Sequence, residues 1–207
     1  MTLVAGTTPY PWPWDGGLDP ARLALLAVSC PGGPAEEDDI AQRIALLAGI
    51  VRRAGGLVLA IEVQAPAAAR LRRPKPAAVP RPPSPEPGDR ATASARFPLR
   101  PDHVLRAAGW SGFHGTGLDA VLRAERRDLL LLTGCCLEIG VHSTMRAAND
   151  RGYECLLVAD ACASTDPGLT ANALSTIEMS GGIFGAVGDG TAVAEALLPL
   201  VTERTMS

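Results

Sequence analysis

Apolar residues along the chain fall into short runs of strand length that alternate with longer stretches at helical spacing. Parallel strands produce that alternation when crossover helices bury both faces of their sheet. The first unit runs from an apolar segment over residues 23–28, through a helix with Ile40, Ile44, Leu47 and Val51 on one face, to a second segment over 57–61. Asp38 and Asp39 favour the helix start through its dipole, and Gly55 with Gly56 stops it. The pattern resumes with a helix around Leu118, Val121 and Leu122, a strand over 128–132, and a helix from about 140 to 151 that ends at Gly152. A strand over 155–158 follows, then a helix carrying Leu169, Ala173, Leu174 and Ile177, a short strand over 183–187, and a last helix over 192–201. The fold class is α/β, and 207 residues suffice for a single domain over 1–207 with one sizeable core. Between residues 66 and 101 lies a segment rich in Pro, Arg and Ala, too short of backbone donors for sheet or helix. It reads as an excursion from the domain, either a surface loop or a proline-rich docking segment for a partner.

Charge narrows the partners. The 19 basic residues are scattered against 22 acidic ones, and no Lys/Arg block interleaved with aromatics occurs, so nucleic acid is not an expected partner. No stretch approaches 18 apolar residues, and the N-terminus sets Tyr10, Trp12 and Trp14 among prolines instead of following a basic patch with an apolar run. A soluble, cytoplasmic chain without a membrane partner is expected. Cys30, Cys135, Cys136, Cys155 and Cys162 are odd in number and lack a CxxC pair, which argues against a disulfide framework and a zinc site. They read as reduced core thiols, and neither a metal nor a cofactor is expected. Lys75 is the only lysine.

The run from Thr133-Gly134-Cys135-Cys136 through Gly140 and Thr144-Met145-Arg146-Ala147-Ala148 to Arg151-Gly152-Tyr153 resembles the signature of the isochorismatase-like cysteine hydrolases. The strand over 155–163 matches as well. The opening Pro9-Tyr10-Pro11-Trp12-Pro13-Trp14-Asp15-Gly16 and the late Gly181-Gly182-Ile183-Phe184-Gly185-Ala186-Val187 look like the ureidoacrylate and biuret amidohydrolase branch. The resemblance implies a three-layer αβα fold with a six-stranded parallel sheet in the order 3-2-1-4-5-6, and a cis peptide at about Cys135-Cys136. It also implies C–N hydrolysis of an amide or ureide through an acyl-enzyme. A cysteine opening a helix would be the nucleophile, favoured as thiolate by the dipole and by nearby amides that later hold the oxyanion. An aspartate ending the first strand would move the proton, and a lysine would lower the thiol pKa.

Each of those positions is substituted here. Counting from Thr133-Gly134 puts the cysteine slot on Gly140, and the first-strand aspartate falls on Ser29. The lysine, counted back from Ser111-Gly112-Phe113-His114-Gly115-Thr116, falls on Ala107, and a one-residue shift would place Arg106 there instead. Loss of a triad nucleophile alone costs about 10⁶ in turnover. A homologue without the family turnover is therefore expected, serving as a structural or regulatory subunit of a homo-oligomer or of a hetero-oligomer with an active paralogue. Two alternatives stay open. One is an amide or ureide hydrolase with Cys136 as a displaced nucleophile. The other is a small-molecule binding module walled by Trp110, Phe113, Cys136 and Leu137. Cys30, next to Ser29 on an alternating strand, is expected to point away from the pocket. His114 and His142 have no partner at a defined spacing, and Glu138 is expected to satisfy local amides.

Overall fold

The computed structural model describes residues 3–11, 17–30, 38–64 and 97–205. Nearly all of the proline-rich excursion, with Lys75, lies outside the described residues, as do Trp12 and Trp14. Six strands form one sheet: β1 (Leu23–Ser29), β2 (Leu57–Glu62), β3 (His103–Arg106), β4 (Leu129–Cys135), β5 (Glu154–Ala163) and β6 (Ala186–Gly188). Their order is β3-β2-β1-β4-β5-β6, and every pairing is parallel. Among the described residues five α-helices accompany them: α1 (Asp38–Ala54), α2 (Leu118–Ala124), α3 (His142–Asn149), α4 (Thr170–Gly182) and α5 (Gly190–Thr205). Among these, none is long and apolar enough to cross a membrane.

The apolar runs of β1 and β4 have a direct cause, since both strands are central and every residue of each is buried. Alternation along β1 divides the core into two layers. Leu23, Leu25 and Ala27 pack with Ile44, Leu47 and Val51 of α1 and with Val193 and Leu197 of α5. Ala24, Leu26, Val28 and Cys30 pack on the other face with Leu118 and Leu122 of α2 and with Val141 and Met145.

Strand β3 is the element that the hydrophobic pattern does not reveal. It is four residues long at the sheet edge, and its burial alternates between half-buried and exposed, so it offers no apolar run. The short strand expected over 183–187 is displaced to Ala186–Gly188, because Gly182 and Gly185 at positive φ turn the chain between α4 and β6.

Candidate functional site

Strand order reverses between β1 and β4, and in an open α/β sheet the crevice beyond the strand ends at that point is where a site forms. The last residues of β4 build its floor. Gly134 has φ +118°, and a Cβ there would lie 1.9 Å from the carbonyl oxygen of Val28, so β4 crosses β1 at a distance only glycine permits. The Cys135-Cys136 peptide that follows is cis. Leu137–Val141 then form a π-helical turn, with the Val141 amide donating to the Cys136 carbonyl at 3.3 Å, and the turn runs directly into α3. Gly140 lies buried in this turn. The helix expected from about 140 therefore opens earlier, as a wider turn.

At Gly140 a Cβ would stand 2.5 Å from the Sγ of Cys30 and 2.8 Å from the Cγ2 of Val63. The space that a side chain at this position would need is filled by the sulfur of Cys30, the residue that follows β1. That sulfur accepts a hydrogen bond from the Cys136 amide at 3.0 Å. The expectation that Cys30 points away from the pocket is thus corrected: Cys30, Val28 and Leu26 share one face, and it is the face that carries Ala107, Phe113, Leu137 and Val141. Ser29, one residue earlier, is buried, and its hydroxyl lies 3.4 Å from the Ile61 carbonyl, which it meets as donor. The parity of the strand thus puts Cys30, and not Ser29, beside Gly140.

Parity also separates the two lysine-slot residues. Ala107 is fully buried in the cluster that contains Cys30. Arg106 points outward with a side chain 69% exposed and pairs with Glu62 at 2.8 Å. Among the described residues, no cation is one of the groups that shift the Cys30 thiol. Of the four expected wall residues, Phe113, Cys136 and Leu137 belong to the same buried cluster, and Trp110 is half-buried against it. The loop carrying Phe113 is tied to α3 by Thr144, whose hydroxyl accepts from the Gly112 amide at 2.9 Å and donates to the Gly140 carbonyl at 2.7 Å. Thr144 belongs to the sequence signature, yet its clamping role emerges only when both backbone partners are in place.

Hydrogen bonds from the Cys136 thiol and from the Cys136 and Gly140 amides hold the Cys30 thiol below its ordinary pKa, against the opposing effect of burial. Cys136 moves the other way. Its proton is engaged by Cys30, and burial and the neighbouring negative charges further disfavour its thiolate. Glu138 accepts from the Thr165 amide at 3.0 Å through Oε1, while its Oε2 is buried without a hydrogen-bond partner among the described residues. Burial, and then the Arg146 charge, lower the His142 pKa, and its Nε2 accepts from the Arg146 guanidinium at 3.1 Å. His114 is exposed on the loop. Among the described residues no group of three or more His, Cys, Asp or Glu is placed to hold a metal ion.

Residues 28–189 match the isochorismatase domain. The chain is similar to the ureidoacrylate amidohydrolase RutB of Methylorubrum extorquens, with 37% identity over 110 residues, which are 53% of this chain and 43% of the relative. It is 30% identical over 135 residues to the isochorismatase family protein YecD of Escherichia coli O157:H7, covering 64% of this chain and 71% of that protein. The chain spans less than half the length of the RutB relative it matches. Among solved structures, an isochorismatase family protein from Burkholderia thailandensis superposes with a TM-score of 0.69 at 27% identity, over 87% of this chain and 97% of that one. The nicotinamidase SaPncA from Staphylococcus aureus shares the fold, with a TM-score of 0.56 at 17% identity over 82% of this chain and 99% of that one.

Proposed function

Because the chain belongs to the isochorismatase family, we propose that it is a member that has given up the family's amide and ureide hydrolysis and acts as a structural or regulatory subunit. One observation carries this reading: the helix position from which a nucleophile would project is Gly140, and the volume such a side chain needs holds the sulfur of Cys30. An acyl transfer needs amide donors free to meet the developing oxyanion. The Cys136 amide is instead engaged by Cys30, a group of the protein itself. Ala107 supplies no positive charge, and Ser29 no carboxylate. Cys136 makes a poor replacement nucleophile, because its thiolate is disfavoured by Cys30, burial and nearby charge.

The subunit role rests on a contrast. The residues from Gly134 to Thr144 still form a tightly packed, hydrogen-bonded turn, although Gly140 within it carries no side chain. Met179 and Ile183, four residues apart at the end of α4, are about half exposed and offer an apolar surface for association with a second copy or with an active paralogue.

The purified chain is expected to release no product above buffer from ureidoacrylate, biuret or simple amides. Sedimentation at micromolar concentration, alone and mixed with a co-purifying hydrolase, is expected to show an oligomer in at least one condition. Turnover abolished by Cys136→Ala would instead establish a displaced nucleophile, and a strict monomer in both conditions would remove the subunit role.

A further inference from the structure

We propose that Cys30 and Cys136 form a redox-active thiol pair, in which a hydroperoxide oxidises Cys30 and Cys136 closes a disulfide onto it. The two residues are 106 positions apart in sequence, yet the Cys136 amide donates to the Cys30 sulfur at 3.0 Å. Each thiol also shifts the titration of the other, which puts the two within interaction range, and both belong to one buried cluster.

The thiols are not equivalent: Cys30 is held below its ordinary pKa, whereas Cys136, Cys155 and Cys162 are raised above theirs, the last two chiefly by burial. A thiolate, not a thiol, attacks a peroxide oxygen. Glu138 lies near the pair: its charge acts on both sulfurs, opposing the thiolate at each, and its Oε2 is buried without a hydrogen-bond partner among the described residues.

In the first step the Cys30 sulfur attacks the outer oxygen of the hydroperoxide. An S–O bond forms, the O–O bond breaks, and the alkoxide leaves as an alcohol after taking up, through solvent, the proton that the Cys30 thiol released. Cys30 is oxidised by two electrons to the sulfenic acid, and the peroxide is reduced by two. In the second step the Cys136 sulfur attacks the Cys30 sulfur. The S–S bond forms and the S–O bond breaks, and the proton from Cys136 passes by way of Glu138 to the leaving hydroxide, which departs as water. The sum is two thiols and one hydroperoxide going to one disulfide, one alcohol and one water. This chemistry stands on the position of Cys30 and not on the absence of hydrolysis, so either reading can fail without the other.

The test uses the full reduced chain exposed to equimolar hydrogen peroxide, quenched by denaturation with an alkylating agent and read by peptide mass spectrometry. A Cys30–Cys136 linkage is expected as the main product, with Cys155 and Cys162 still alkylated. In Cys136→Ser, Cys30 should accumulate as sulfenic acid and be captured by a 1,3-dione probe. In Cys30→Ser, peroxide consumption should fall at least about tenfold. Glu138→Gln should slow closure about tenfold while sulfenic acid still forms; undiminished closure would overturn the assignment of that proton. A Cys135–Cys136 linkage as main product, oxidation spread evenly over the thiols, or a Cys30 no faster than free cysteine would each overturn the pair, and the unsubstituted chain alone decides among them.

Discussion

Gly134→Ala is expected to abolish the cooperative fold, with a loss of more than about 4 kcal/mol. Two independent costs act at this position. Its φ of +118° lies where an L-residue is strained whatever its surroundings, and the added Cβ would fall 1.9 Å from the Val28 carbonyl oxygen. The obstacle is backbone of a fully buried central strand, which cannot swing aside as a side chain does. Relief would require β4 to move away from β1, loosening the pairing of Val28 with Gly134 and the turn that carries Gly140. Gly152 serves as the comparison, because it also has a positive φ, +82°, but nothing within 4 Å of its would-be Cβ. Gly152→Ala is expected to cost only the conformational strain, about 1–2 kcal/mol. Urea denaturation of the two variants separates the costs, and a Gly134→Ala midpoint no lower than that of Gly152→Ala would contradict the close crossing.

The sheet was legible because its central strands are buried on both faces and leave nothing but apolar residues in their runs. β1, β2 and β4 are of this kind, and their positions follow from the hydrophobic pattern to within a few residues. β3 was not legible, since an edge strand needs no apolar run and has its partner on one side only. In the candidate site, the glycine that replaces the nucleophile is visible in the signature around Thr133-Gly134. Its consequence is not. Whether Ser29 or Cys30 meets Gly140 depends on a one-residue parity that a strand end does not announce, and a one-residue difference moves a side chain to the opposite face. Cys30 and Gly140 are distant in sequence, so neither residue type alone signals that the sulfur of one stands where the side chain of the other would be. Val63 and Thr144 escaped for the same reason, their roles being set by long-range contacts with Gly140.

Gly140→Ala brings this relation to a direct test. An added Cβ would press on the Cys30 sulfur at 2.5 Å and on a Val63 methyl at 2.8 Å. Overpacking of a close-packed core costs about 1–3 kcal/mol, and it outweighs the gain of up to about 1 kcal/mol that alanine brings over glycine within a helical turn. Cys30→Ala removes the sulfur and with it the main obstacle, leaving a Val63 side chain that can adjust its rotamer. Alone, Cys30→Ala should also destabilise, because it empties the space and leaves the Cys136 amide without its acceptor. The two losses should therefore not add. The measurement that bears most directly on the central claim, that the Cys30 sulfur occupies the place of a nucleophile's side chain, is the double-mutant cycle of Gly140→Ala and Cys30→Ala by urea denaturation. A double variant at least about 1 kcal/mol more stable than the sum of the single losses is the predicted result. Additive losses, within about 0.3–0.5 kcal/mol, would show that the two positions do not share that space and would contradict the account.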